Sequence, residues 1–189
     1  MAKRLHLTNY TCKTVMAITG AIFAAFVLVH MIGNLKVWQG ADSFNYYAGW
    51  LREIGYPLVP HEGILWALRI VLLVALVAHV VCAAVLWVRG RRARGSHPAK
   101  RTRWRSRAAT LMAPTGGLLL IFIVVHLLDL TTGHLGADGF RYPDEEGFHA
   151  YGNLVASFER PVYALFYIVV MVALGIHLVQ GLWSVLHDL

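Results

Sequence analysis

Residues 64–88 read ILWALRIVLLVALVAHVVCAAVLWV, twenty-five positions holding one permanent charge, Arg69, and one imidazole, His79. A run this apolar on every side has no face to offer water, and about 20 such residues as a helix cross the roughly 30 Å hydrocarbon layer of a bilayer. Three further stretches have the same character, at about 14–36, 108–130 and 161–186. The 189 residues are 58% hydrophobic yet contain 17 Lys and Arg against 10 Asp and Glu, a combination rare in water-soluble domains. The expected fold is therefore all-α: a transmembrane bundle of four spanning helices forming one domain over residues 1–189, with the lipid bilayer as its solvent. The first stretch is longer than a signal-peptide core and lacks a small-residue cleavage site, so it reads as a span.

Basic residues orient the bundle, because short loops rich in Lys and Arg stay cytoplasmic. Lys3, Arg4 and Lys13 precede the first span, and nine cations between Arg89 and Arg107 join the second to the third without one acid. The other two connections are acid-rich: Asp42, Glu53 and Glu62 in one, Asp138, Asp144, Glu145, Glu146 and Glu159 in the other. Both termini are expected on the cytoplasmic side of the cell membrane. The net charge of +7 reads as this retention signal with anionic-lipid contact, not as nucleic-acid binding, since no recognition motif accompanies the basic run. Cys12 and Cys82 lack the CxxC spacing and are not expected to form a disulfide. The six tryptophans cluster near span ends, as an interfacial belt would. Pro161 suits the first turn of the fourth span, and Gly90 and Gly133 are expected just beyond the ends of the second and third.

Ionisable groups inside membrane spans are scarce and usually functional. Each span here holds one histidine: His30, His79, His126 and His177. Counting about 1.5 Å per residue from the charged flanks puts His30 and His126 near the outer face and His79 and His177 about 15 Å from the inner boundary. Two depth-matched pairs, separated by about 12 Å along the membrane normal, predict two bis-imidazole sites. A metal ion held by two histidines alone is poorly coordinated, whereas haem iron needs only two axial protein ligands. A flat macrocycle between helices asks for small residues one turn from the ligands, and Gly33, Ala83 and Gly181 stand in those positions. Within each pair the residue at i−4 also matches: Phe26 with Phe122, Ala75 with Ala173. Asp129, three after His126, breaks the small-residue pattern and is expected to face the aqueous rim.

With these histidines go the stretches His30-Met-Ile-Gly-Asn34, Phe44-Asn-Tyr-Tyr-Ala48, Trp66-Ala-Leu-Arg69 through His79, Gly117 to His126-Leu-Leu-Asp129-Leu-Thr-Thr-Gly133, Tyr151-Gly-Asn153 to Ser157-Phe158, and Gly175-Ile-His-Leu178 to Gly181-Leu-Trp-Ser184. In order, over nearly the whole chain, they resemble the cytochrome b membrane subunit of the succinate dehydrogenase and fumarate reductase family (respiratory complex II), in its single-polypeptide, two-haem form. The resemblance implies two haem b groups, the inner held by His79 and His177 and the outer by His30 and His126, the pairing that the depth count gives independently. It implies a flavoprotein subunit carrying FAD and an iron–sulfur subunit docked on the cytoplasmic face, with electrons from succinate passing through both haems to a quinone, in most relatives menaquinone. Relatives usually have a fifth transmembrane helix. A small extra membrane subunit supplying it, or a bundle complete with four, are the two expectations. Gln180 stands where some relatives carry histidine.

Arg69 lies near the depth of the outer pair, where a buried cation needs an anionic partner. It is assigned to a haem propionate or the quinone, or else to snorkelling toward the outer interface. Glu53, His61, Glu62 and Asp129 are candidate proton donors for quinone reduction at the outer level, each equally readable as a solvated rim residue. No other carboxylate lies within a span, which argues against an acidic proton path through the subunit. Two other functions compete. A Rieske-type cluster needs two His and two Cys, which His79, His177, Cys82 and Cys12 would have to supply. A histidine-relay transporter of protons or metal ions predicts a polar pore stripe and broken helices, whereas these spans hold few polar residues besides the histidines.

Overall fold

Chain segments that are apolar all round satisfy their backbone polar groups in lipid only by closing into helices, and the four stretches do so. The computed structural model describes residues 8–94 and 104–188. Helix α1 runs Asn9–Asn34, opened by Thr8, whose hydroxyl accepts from the Thr11 amide at 3.0 Å, a cap that satisfies one of the free amides of the first turn. A 3₁₀ turn, Leu35–Gln39, prolongs it until Gly40 at φ +91° breaks the direction. Helix α2 (Ala41–Glu53) follows, then α3 (Gly63–Arg94) and α4 (Trp104–His126). A π-helical segment, Leu127–Thr131, continues α4 directly from the histidine. Helices α5 (Ala150–Phe158) and α6 (Pro161–Asp188) follow.

Four of these helices, α1, α3, α4 with its π segment and α6, are long and apolar enough to cross a membrane. Their side chains Leu28, Leu73, Val77, Ile121, Val172 and Val179 are exposed on the outside, as lipid-facing positions are. The links between paired spans set α2 and α5 together at one end, the loop end, and the start of α1, the end of α3, the start of α4 and the end of α6 lie at the other, the terminal end. Helix α2 touches α5 and the base of α3.

The boundaries differ from the sequence expectation in three places. Gly90 lies inside α3, which runs on to Arg94: arginine is a good helix former and Gly costs only about 1 kcal/mol within a helix. Both acid-rich connections contain a helix, α2 and α5, whose polar faces hid them beside the far stronger span signal. Lys3, Arg4, His6, His97, Lys100, Arg101 and Arg103 lie outside the described residues. Pro161 opens α6 and Gly133, at φ +71°, follows the π segment, as expected.

The spans pack as two pairs, α1 along α3 and α4 along α6, with α1 touching α6 more sparingly. The pairs repeat each other. Thr19, Gly20, Phe26 and His30 on α1 correspond to Thr115, Gly116, Phe122 and His126 on α4, at the same mutual spacings. Ala75 on α3 and Ala173 on α6, each one turn before a histidine, are both buried. The Cys12 and Cys82 thiols meet within hydrogen-bonding reach between α1 and α3 and remain free.

Candidate functional site

The structure gathers the four span histidines as the depth count paired them. At the loop end, the His30 and His126 rings lie 5.9 Å apart, centre to centre, with their planes 86° to each other. Phe26 stacks on His30 at 5.3 Å and Phe122 lies against His126 at 5.4 Å. Toward the terminal end, His79 and His177 sit within electrostatic reach of one another. Phe23 meets His79 edge-on at 5.9 Å.

Hydroxyl groups decide the tautomers. Thr19 Oγ1 lies 2.8 Å from His79 Nδ1, and it donates its only proton to the Val15 carbonyl at 2.7 Å. A hydroxyl that has given away its proton can only accept, so Nδ1 of His79 carries the hydrogen and Nε2 is left with its lone pair. Thr115 repeats the device on the other pair: Oγ1 lies 3.1 Å from His177 Nδ1 and donates to the Leu111 carbonyl at 2.6 Å. At the loop end the acceptor is Tyr167 Oη, 3.3 Å from His126 Nδ1, whose own proton goes to Asp129 Oδ2 at 3.2 Å. Three histidines thus present a free Nε2, with the second nitrogen anchored as metal-ligating histidines are.

The threonines are followed by glycines that lie against the rings, tightly at Gly116 and at ordinary contact distance at Gly20. A Cβ at Gly116 would stand 3.3 Å from Cε1 of His177, and one at Gly20 would stand 3.8 Å from Cε1 of His79. These glycines escaped the sequence reading. The signal was present as a Thr-Gly pair eleven residues before the histidine, repeated in α1 and α4. Gly33, expected to leave space beside His30, instead admits Tyr47 of α2: a Cβ there would run into the tyrosine oxygen. Its small size serves packing of the loop-end helix. Nothing approaches Gly181 within 4 Å of a built Cβ.

Asp129 departs most from expectation. It is fully buried, not on the rim. The π segment that starts after His126 has a wider turn than an α-helix, so the one-turn spacing that relates i and i+3 no longer applies. The carboxylate accepts from Ser157 Oγ, from Arg160 Nη2 and from Tyr167 Oη. Arg160 is held in place by donating to the Leu135 carbonyl at 2.9 Å and by lying 3.6 Å over the Tyr163 ring.

Arg69 is engaged elsewhere. Its guanidinium lies 3.6 Å from Glu62 and 4.8 Å from the Trp66 ring, at the loop-end boundary of α3. Glu62 also accepts from Arg52 at 2.9 Å. Glu53 pairs with His61 at 3.0 Å, both exposed. None of the four candidates Arg69, Glu53, His61 and Glu62 is brought to the imidazoles. On the loop-end surface, Asp144 takes hydrogen bonds from Arg141 and His149 at 2.9 Å each and from the Glu146 amide at 3.0 Å. Its carboxyl is held below the usual carboxylate range, chiefly by His149 and then by Arg141. No family model, curated protein or solved structure matches the chain.

Proposed function

We propose that this chain is the membrane-anchor cytochrome b of a succinate:quinone oxidoreductase, with His79 and His177 holding one haem b and His30 and His126 the other. One observation carries the reading: imidazoles from four different spans lie in two pairs, and in three of them a hydroxyl with no proton to spare fixes hydrogen on Nδ1 and frees Nε2. His30 and His126, with ring centres 5.9 Å apart, would hold the loop-end haem, and His79 and His177 the other. Haem at each level supplies a one-electron carrier whose potential is set by its axial ligands and their hydrogen bonds.

The residues then divide the work. Thr19, Thr115 and Tyr167 hold the rings in orientation, Gly20 and Gly116 keep side chains off them, and the apolar spans exclude water. The basic terminal end suits docking of an iron–sulfur subunit with its flavoprotein at the cytoplasm, and a quinone, menaquinone in the resemblance, is reduced at the loop end. Succinate oxidation itself belongs to the partner subunits. The test is a reduced-minus-oxidised visible spectrum of the purified membrane complex. Two b-type haems per chain are expected. A preparation with an intact chain and no haem absorbance overturns the reading, and a cluster signature in its place favours the Rieske alternative.

A further inference from the structure

The two imidazole pairs differ in what stands behind them. His79 and His177 each hydrogen-bond to a neutral threonine whose proton is spent on a backbone carbonyl. Behind His126 stands a tyrosine that donates to a carboxylate. That carboxylate, Asp129, has no exposed surface and is surrounded on every side. Ser157 and the Arg160 guanidinium hold it from the α5–α6 junction, and Tyr167 reaches it from α6. Arg160 also bonds Ser157 Oγ at 3.1 Å, so cation, hydroxyl and carboxylate form a closed cage. Phe122 and Phe158 pack edge-on against the Tyr167 ring at 5.2 and 4.8 Å and keep it from swinging away.

An ion pair whose carboxylate is fully buried and whose guanidinium is only partly exposed is a poor way to stabilise a fold, because desolvation of the carboxylate consumes much of the Coulombic gain. A stiffly held charge one residue removed from a metal-ligating imidazole has another use. The hydrogen bond on the non-ligating nitrogen sets how strongly a histidine donates to its metal. We propose that Asp129 acts through Tyr167 on His126 as a positioning and tuning group, making the loop-end imidazole the more electron-rich and holding the loop-end haem at a lower reduction potential than it would otherwise have. Arg160 sets the size of the effect by offsetting the carboxylate charge. This rests on the haem reading above.

The signs follow from the charges. Tyr167→Phe removes the acceptor from His126 Nδ1, weakening the donor and favouring the reduced haem. Asp129→Asn removes the negative charge and leaves Arg160, which acts in the same direction. Arg160→Gln leaves the carboxylate unopposed and acts in the opposite direction. The experiment is a potentiometric titration of the haem-loaded complex, with the loop-end haem identified as the component missing in His30→Ala. At fixed ambient potential, Tyr167→Phe and Asp129→Asn are expected to raise the reduced-to-oxidised ratio of that haem about tenfold, which is 59 mV for a one-electron couple. Arg160→Gln is expected to lower it, and the other haem to stay where it was.

A purely structural cage would not give opposite signs to Asp129→Asn and Arg160→Gln. Should Asp129→Asn fail to assemble, Tyr167→Phe and Arg160→Gln decide the matter. A loop-end midpoint unmoved by Tyr167→Phe, or moved the same way by Arg160→Gln, overturns the proposal while leaving the cofactor reading intact. A wild-type complex without haem overturns the cofactor reading first.

Discussion

Thr19 meets His79 across the α1–α3 contact, its oxygen 2.8 Å from Nδ1, although the two are sixty residues apart in the chain. The pairing turns an ordinary helix hydroxyl, already bonded to the Val15 carbonyl, into the group that selects a histidine tautomer. Thr115 does the same for His177 across α4 and α6.

Thr19→Val keeps the shape and removes the acceptor. Loss of such a supporting hydrogen bond typically costs about 10- to 100-fold in metal affinity. Haem titration of the Thr19→Val protein should show weakened binding at the terminal-end site, with Thr19→Ser restoring it and the loop-end site unaffected. Equal weakening at both sites would contradict the local role.

Single-histidine variants test the pairing. His79→Ala and His177→Ala should each delete the same haem from the visible spectrum, and His30→Ala and His126→Ala the other. After either loop-end substitution the remaining haem should still be reduced by succinate. If His30→Ala and His79→Ala lose the same component, the two-level arrangement is wrong.

The glycines should rank by the room they leave. A methyl at position 116 sits 3.3 Å from His177, tighter than the 3.8 Å at position 20 from His79. Gly116→Ala is therefore expected to disturb terminal-end haem binding more than Gly20→Ala, read as occupancy after purification. The reverse order would show that the rings are placed otherwise.

Gly33→Ala tests a different contact. Its new methyl runs into the Tyr47 hydroxyl, and overpacking of this sort costs about 1–3 kcal/mol. The thermal midpoint should fall while the haem spectrum is retained. Loss of the loop-end haem with unchanged stability would place Gly33 beside the cofactor after all.

Acid should loosen the 141–149 surface turn only at low pH. Asp144 is held below the ordinary carboxylate range by His149 and Arg141, and a depressed acid adds stability that is present above its unfolded value and lost as pH falls through the folded one. Asp144 itself and Arg141 are solvent-exposed, so the effect is small. The amide shift of Glu146, which donates to Asp144, should titrate with a midpoint below that of an ordinary aspartate and lose this inflection in Asp144→Asn. A midpoint at the ordinary value would show that these bonds do not persist in solution.

The span count, the helical character of each span and the grouping of the histidines by depth were legible in the sequence, because length, apolarity and rise per residue are properties of a chain segment taken alone. Even the Pro161 start and the matched Phe26–Phe122 and Ala75–Ala173 positions follow from local spacing. Helices α2 and α5 were hidden because short amphipathic segments give a weak signal next to unbroken apolar runs. Only the tertiary structure decided which hydroxyl stands behind which imidazole and which glycine faces which ring, since those contacts join helices about 40 to 60 residues apart. It also moved Asp129 from the rim to the interior. A π turn re-aims that carboxylate, and the cation that makes its burial tolerable, Arg160, comes from a junction thirty-one residues later. A charge read by itself at the end of a span belongs in water. Its burial became affordable only once folding had brought Ser157, Arg160 and Tyr167 around it.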